Sequence, residues 1–185
     1  MKEIEILIEV KSDKETALRA LGGFDSLGVK KTLDVYFYDP LRKNLQPDEE
    51  NRLSASFRIR QKGEKCSMAY KIDHFILEEW SHSDEYETEI EDLETAIKIV
   101  ENFGLKELVR IDNEKYIYTT PEYEIVLEDV KNLGLFMEVE KIGKVGDDEV
   151  ASTKEEIRSL LKSLKIEFGP EQNAGKPELM LRRSS

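Results

Sequence analysis

The chain has 185 residues, of which 39% are hydrophobic and 37% charged, and its formal net charge is -12 at pH 7. This length is enough for one domain with a sizeable hydrophobic core or for two very small domains. A chain this acidic lacks the broad basic surface on which sequence-independent binding of DNA or RNA depends, but it is compatible with a local basic pocket for a small anion.

The first predicted element is a β-strand over residues 3–11, because aliphatic side chains alternate strictly with the others. Its two faces are Ile4, Ile6, Ile8 and Val10 toward the core, and Glu3, Glu5, Leu7, Glu9 and Lys11 on the other side. Ser12 and Glu15 then have the spacing of a capping box, which predicts a helix that ends at Gly22 and Gly23.

Three strands follow in the first half of the chain, at residues 29–38, 54–61 and 66–73. The polar segment 41–53 reads as a loop, and residues 62–64 read as the turn of a hairpin. Residues 73–84 hold both histidines and the only tryptophan without a clear period, so we predict a loop or an irregular strand end there.

The second half repeats this pattern of a strand, a capped helix and aromatic strands, which predicts a pseudo-duplicated fold. Its predicted strands are residues 85–91, 107–111, 115–120, 122–130 and 135–142. Asp92 caps a helix that ends at Gly104, and Thr153 with Glu156 begins a third helix. From Gly169 the chain contains Pro and Gly and is expected to be a partly ordered tail.

The central stretch is residues 57–60, in which Phe57 and Ile59 alternate with Arg58 and Arg60. A β-strand therefore places both arginines on one face, where they need anions between them, either carboxylates or a polyphosphate. Carboxylates alternate in the same way on three other strands: Glu3 and Glu5; Glu85, Glu87 and Glu89; Glu138 and Glu140. Rows of both charges favour an α+β fold, with one antiparallel β-barrel of about eight strands, a charged interior and helices packed outside.

The order of these motifs resembles that of the CYTH family, also called triphosphate tunnel metalloenzymes. That family includes class IV adenylate cyclases, thiamine triphosphatases and inorganic triphosphatases. The matching segments are residues 3–7, 34–37, 57–60, 69–71, 85–89, 113–115, 127–130, 133–136 and 138–140. We place the domain at residues 1–168 and the tail at 169–185. Two positions depart from the family pattern, because Leu7 and Asn113 stand where the family has basic residues.

The resemblance implies a role for each charged row. The implied metal ligands are Glu3, Glu5, Glu138 and Glu140, for Mg²⁺ or Mn²⁺; the implied catalytic carboxylates are Glu87 and Glu89; the implied substrate-binding residues are Arg58, Arg60, Lys71 and Lys115. Oxygen ligands suit these cations and a planar guanidinium suits phosphate. Phosphoryl transfer depends mainly on positioning and charge neutralisation, which such a tunnel provides.

Four readings follow from these residues. The first is a metal-dependent enzyme that hydrolyses an inorganic or organic triphosphate, and the second is a class IV adenylate cyclase. The third is a non-catalytic binder of polyphosphate or nucleotide, because Leu7 and Asn113 remove two positive charges. The fourth is an acidic structural barrel in which Arg58 and Arg60 form internal ion pairs. The expected partner is a small-molecule triphosphate, and the expected state is a monomer or homodimer.

Cys66 is the only cysteine, so the chain has no internal disulfide and no cysteine metal cluster. The first residues carry charges where a signal peptide needs an apolar run, and no segment approaches the length of a transmembrane helix. We therefore expect a cytoplasmic protein that does not contact membranes.

Overall fold

The computed structural model describes residues 2–77, 79–143 and 145–184. Its strands are β1 Lys2–Glu3, β2 Glu5–Val10, β3 Asp25–Tyr38, β4 Ala55–Lys62, β5 Lys65–Ile76, β6 Glu79–Ile90, β7 Lys106–Thr119, β8 Tyr123–Val130, β9 Gly134–Lys141 and β10 Phe168–Glu171. Its α-helices are α1 Lys14–Leu21, α2 Leu93–Asn102, α3 Val150–Ser163 and α4 Lys176–Ser184. Short 3-10 turns lie at Lys43–Leu45 and Asp147–Glu149.

The strands form one antiparallel sheet in the order β1-β6-β5-β4-β3-β7-β8-β9-β2-β10. The N-terminal segment pairs with β6 through β1 and with β9 through β2. Because only Ile4 separates β1 from β2, this segment joins the two sides of the sheet and curls it around a central cavity. The predicted antiparallel tunnel fold with helices outside is confirmed.

The two halves of the chain have the same topology. The first half runs β2-α1-β3-β4-β5 and the second runs β6-α2-β7-β8-β9. In the sheet, β3 pairs with β7 at the centre. Strands β4, β5 and β6 follow in that order beyond β3, and strands β8, β9 and β2 follow in the same way beyond β7. The predicted pseudo-duplication is thus present in the strand order.

The hydrophobic core lies between the outer face of the sheet and the helices. Under α1 and α3 the buried residues include Ile6, Leu127 and Ile157, and a second cluster under α2 includes Ile59 and Ile97. Since side chains alternate between the faces of a strand, burying these aliphatic residues outward turns the charged residues inward. Within the described residues, no helix is long and apolar enough to cross a membrane.

Several predicted boundaries differ from the structure. Helix α1 is capped by Asp13 rather than Ser12, because Asp13 Oδ1 accepts a hydrogen bond from the Thr16 amide at 2.9 Å. The predicted loop at 73–84 is largely the β5–β6 hairpin, in which His74 pairs with His82. The predicted strands at 107–111 and 115–120 are one continuous strand, β7.

Helix α4 occupies the segment for which the sequence predicts a partly ordered tail. Its Leu179 and Met180 pack against the buried cluster that contains Leu7 and Phe136. The preceding strand, β10, pairs with β2. Packing against residues far away in sequence thus orders a segment whose composition predicts little order.

Candidate active site

A cavity of about 200 Å³ lies on the inward face of the sheet. Its described lining includes six basic residues, Arg58, Arg60, Lys62, Lys71, Lys115 and Lys176, and eight acidic ones, Glu5, Asp73, Glu85, Glu87, Glu124, Glu138, Glu140 and Glu178. The basic residues of the sheet come from β5, β4 and β7, which surround β3. Carboxylates line the neighbouring strands β8, β9 and β2. The cavity therefore has an acidic wall and a basic wall, and the basic wall also carries Asp73 of β5 and Glu85 and Glu87 of β6.

Arg60 is fixed in the basic wall by a bidentate contact with Asp34. Its Nε and Nη2 donate to Asp34 Oδ1 and Oδ2, each at 2.6 Å. Burial alone would raise the pKa of the Asp34 carboxyl, but the charge and hydrogen bonds of Arg60 hold it well below its usual range. This ion pair fixes the guanidinium plane before any ligand binds.

Arg58 is paired less completely. Its Nη2 donates to Glu85 Oε1 at 3.0 Å, and its side chain is 14% exposed. Its Nε is buried and has no hydrogen-bond acceptor among the described residues. A buried donor without an acceptor is costly, so this atom marks a place where a ligand oxygen would be stabilising.

Lys115 is held by the buried carboxylate of Glu128, with Nζ at 2.8 Å from Oε1. Asn113 donates to the other oxygen, Oε2, at 2.9 Å. Burial lowers the pKa of Lys115, although Glu128 opposes that shift. Asn113, one of the two departures from the family pattern, therefore helps to position the acid that holds Lys115.

Lys71 connects the basic wall to the acidic wall. Its Nζ lies 2.6 Å from Glu5 Oε1 and 5.3 Å from the centroid of the Trp80 ring. Strands β5 and β2 are not neighbours in the sheet order, so this ion pair spans the curled sheet.

The acidic wall contains three glutamates in a row. Glu140 on β9 is directly opposite Glu5 on β2 and also opposite Glu124 on β8. Like charges in directly opposed positions repel. Burial, followed by the charges of Glu5 and Glu138, raises the pKa of Glu140 to about 8. A cation between these carboxylates would relieve the repulsion.

These carboxylates have the chemistry of a magnesium or manganese site, but their side chains do not converge. Within the described residues, no three His, Cys, Asp or Glu side chains form a group that could hold a metal ion. Mg²⁺ usually takes only one or two protein carboxylates and completes its shell with water and substrate phosphates. A pair such as Glu5 and Glu140 therefore fits the ion as a partial ligand set.

Helix α4 contributes two charged side chains to the cavity. Lys176 Nζ donates to Glu128 Oε1 at 2.8 Å and to Glu138 Oε2 at 2.5 Å. Burial opposes its charge, but Glu128 and Glu138 together raise the pKa of Lys176 above its usual value. Glu178 accepts hydrogen bonds from the Leu53 amide at 2.8 Å and the Gly175 amide at 2.5 Å. Burial nevertheless raises the pKa of Glu178 to about 7.

The structure brings together most of the residues singled out in the sequence. The residues that line the cavity are Glu5, Arg58, Arg60, Lys71, Glu87, Lys115, Glu138 and Glu140. Glu89 is not brought into the cavity, because its side chain is 77% exposed and pairs with Lys65. The side chain of Glu3 lies outside the part of the structure that is described.

Sequence reasoning assigned no role to five charged residues that position the site: Asp34, Glu124, Glu128, Lys176 and Glu178. Asp34 had a usable signal, since it is an isolated acid among apolar strand residues and therefore needs a buried cation. Glu128 had a weaker signal, because Asp129 follows it directly and the two cannot be told apart by polarity alone. Glu124 and Lys176 had no comparable signal, because their positions depend on strand order and on the docking of α4.

The fold and the cavity together define a β-tunnel protein with a charged interior, and comparison with known proteins agrees with the fold. Residues 1–169 match the CYTH domain, and the chain belongs to the CYTH family.

One relative in sequence supports this assignment, and solved structures share the fold. "Putative adenylate cyclase MJ0240" of Methanocaldococcus jannaschii is 31% identical over 172 residues, which cover 90% of this chain and 91% of that protein. Among solved structures, PH1819 of Pyrococcus horikoshii has a TM-score of 0.81 at 22% identity and covers 98% of this chain and 99% of its own. HpAC1 of Hippeastrum, described with a dominant triphosphatase activity, has a TM-score of 0.65 at 18% identity over 100% and 96% of the two chains.

Proposed function

We propose that this protein is a divalent-metal-dependent enzyme that hydrolyses an inorganic or organic triphosphate inside the cavity. The observation that carries the proposal is the cavity itself, in which a basic wall faces a row of register-paired glutamates. The basic wall suits the oxygens of a polyphosphate, and the glutamate row suits the cations that accompany it.

The fixed guanidinium of Arg60 and the incompletely paired guanidinium of Arg58 support triphosphate binding. Arg58 Nε needs an acceptor, and a phosphate oxygen is a strong one. Lys71 on β5 and Lys115 on β7 add two ammonium groups to the cavity. A cavity of about 200 Å³ is smaller than the ~300–1,000 Å³ typical of sites for drug-sized ligands. We therefore expect the triphosphate group of the substrate to lie inside the cavity and any organic group to lie toward its opening.

Members of the CYTH family generally depend on a divalent metal ion. In this chain Glu5 and Glu140 would hold such an ion, Mg²⁺ or Mn²⁺, with Glu138 and Glu124 beside them. When bound, the ion would neutralise charge on the phosphates and on the leaving group. We also retain Glu3 in the proposed ligand set, as the resemblance implies.

The protein's own groups would supply positioning and proton transfer. Arg60 and Lys115 are held in place by Asp34 and Glu128, so the site needs little rearrangement to stabilise a developing charge. Glu87 lines the cavity, and its Oε1 accepts from Ser67 Oγ at 2.7 Å. We assign to Glu87 the orientation of the attacking water and acceptance of its proton.

A second candidate is adenylate cyclase activity, favoured by the name of the Methanocaldococcus jannaschii relative. In that reaction the ribose 3′-hydroxyl of ATP attacks the α-phosphate and pyrophosphate leaves. The same basic wall would hold the β- and γ-phosphates. The two candidates therefore share a binding site and differ in the nucleophile.

Product analysis distinguishes the candidates. The full chain is incubated with Mg²⁺ or Mn²⁺ and, in parallel, with tripolyphosphate, thiamine triphosphate or ATP. Release of phosphate supports the hydrolase, and cyclic AMP from ATP supports the cyclase. Metal-dependent binding of tripolyphosphate without any product would identify a non-catalytic binder, whereas absence of binding would refute the proposal.

A matched pair of variants tests the role of Glu87. Glu87→Gln is expected to lower turnover while tripolyphosphate still binds, because the amide keeps the shape of the side chain and loses its basicity. Glu101→Gln, on the exposed face of α2, makes the same chemical change away from the cavity. Equal turnover of the two variants would contradict the assignment.

A further inference from the structure

The first half of β3 has an open edge. One side of residues 25–31 pairs with β7, but on the other side β4 begins to pair with β3 only at Thr32. The backbone bond next to this end of β4 runs from the Gly63 amide to the Lys31 carbonyl at 3.2 Å. Within the part of the chain that the structure describes, no strand pairs with the second edge of residues 25–31. These residues are all exposed, whereas the rest of β3 is mostly buried.

Two aliphatic side chains are exposed on this segment. Leu27 is 54% exposed and Val29 is 50% exposed. Successive residues of an antiparallel strand direct their backbone groups alternately to its two sides. Because Lys31 directs its carbonyl to the β4 side, Val29 directs its N–H and C=O to the open edge. An unpaired edge with aliphatic side chains is a template on which a further strand can pair.

The same segment carries features that oppose unspecific pairing. Leu27 is the extra residue of a β-bulge against β7, and Gly28 has a φ of +91°. Lys30 and Lys31 add two positive charges. Bulges and lysines are means by which open edges avoid aggregation. A strand that pairs here must therefore match the bend and bring negative charge.

The segment meets both requirements when it pairs with a second copy of itself. In an antiparallel pair centred on Gly28, Asp25 is opposite the partner's Lys31, and Leu27 is opposite the partner's Val29. A twofold axis makes each of these contacts twice. The two glycines meet at the axis, where the absence of side chains lets two bent strands approach.

We propose that this protein forms a homodimer by antiparallel pairing of residues 25–31 across a twofold axis through Gly28. The segment is shorter than the roughly 20–30 residues that each partner contributes to a standard interface, so the dimer is weak and depends on concentration. The contact lies beside the cavity, because Lys62 lines the cavity and is opposite Thr32, where the open edge begins. The inference is independent of the proposed function.

The first test is sedimentation velocity of the full chain from low micromolar to near-millimolar concentration. The wild type is expected to shift from monomer to dimer over this range. Asp25→Lys puts lysines opposite each other at both ends of the paired segment, and it is expected to weaken dimerisation about tenfold or more. Lys31→Asp puts aspartates together and should have the same effect. Lys162→Asp, on the exposed face of α3, is the matched control and should dimerise like the wild type.

Exchange of the two charges makes the test specific for this register. Asp25→Lys and Lys31→Asp combined in one chain recreate both attractive pairs and should restore dimerisation. A mixture of the two single variants should form a heterodimer, because a chain with two lysines then faces a chain with two aspartates. Each single variant alone should stay largely monomeric at the same concentration.

Three results would overturn the proposal. They are a wild type that stays monomeric at every concentration, a dimer that Asp25→Lys leaves unchanged, and a double variant that is folded by its melting temperature but does not dimerise. Amide hydrogen exchange gives an independent readout, since the Val29 amide should exchange more slowly in the dimer than in the monomer. Exchange at Val29 that does not change on dimerisation would place the contact elsewhere and would also overturn the proposal.

Discussion

Arg58→Ala is expected to weaken tripolyphosphate binding far more than Lys131→Ala. Arg58 lines the cavity, its side chain is 14% exposed, and its Nε is buried without an acceptor among the described residues. Lys131 has the same formal charge, but it is 69% exposed and lies 3.6 Å from Asp112. The pair therefore separates the effect of the cavity from the effect of net charge.

The expected magnitudes follow from the two environments. A hydrogen bond to a charged group contributes about 1.5–3 kcal/mol, which corresponds to a change in affinity of roughly tenfold to 150-fold. An exposed ion pair contributes about 0–1 kcal/mol, so Lys131→Ala should change affinity less than about fivefold. Arg58→Lys keeps the charge but removes the planar fork, so it should lie between these values.

The assay is titration calorimetry with tripolyphosphate at constant Mg²⁺ and ionic strength. Melting temperatures of each variant identify any loss of folding, because Arg58→Ala also leaves Glu85 without its 3.0 Å partner. Equal losses of affinity in Arg58→Ala and Lys131→Ala, with both variants folded, would refute the assignment of the basic wall as the phosphate site.

Three further predictions concern buried charge. Asp34→Asn removes the partner of the buried Arg60 guanidinium and should lower the free energy of unfolding by about 3–5 kcal/mol, whereas unchanged urea unfolding would contradict the proposed anchoring. The pKa of Glu140 is about 8 in the folded protein, against a reference value of 4.5 for the unfolded chain. As the pH rises, the unfolded chain therefore loses the carboxyl proton of Glu140 before the folded protein does. Without bound metal, the free energy of unfolding should therefore decrease as the pH rises from 4.5 to 8. At pH 8.5 the melting temperature of Glu140→Gln should be higher than that of the wild type. Glu178, with a pKa of about 7, destabilises the folded state in the same direction, so the hydrogen-exchange protection factors of α4, which correct for the base catalysis of exchange, should fall as the pH rises to 7 and should fall less in Glu178→Gln. Identical pH profiles of the protection factors in the two proteins would exclude this role.

The inward placement of the charged residues could be predicted because it follows from local periodicity. In a strand, burying Ile59 is enough to place Arg58 and Arg60 on the opposite face. The contacts between strands could not be predicted in the same way. The row formed by Glu5, Glu140 and Glu124 depends on which strands are neighbours and on their register, and single-strand patterns carry neither.

The hairpin and the last helix show two other limits of sequence reasoning. Residues 73–84 lack a period because both faces of the β5–β6 hairpin are mixed in polarity. At α4 a local signal existed, since Pro177 lies in the first turn and Glu178 follows Gly175 by three residues. A helix this short is marginal in isolation, so its formation depends on packing against Leu7.

The pairing of the N-terminal segment with β9 has a consequence for synthesis of the chain. Residues 5–9 are synthesised long before their partners at residues 136–140. Until then the nascent strand carries an uncovered aliphatic face and an unpaired backbone edge, which is the kind of segment that associates with other chains. The alternating carboxylates Glu5 and Glu9 oppose such association. Glu5, which lines the finished cavity, thus also protects the strand that waits longest for its partner.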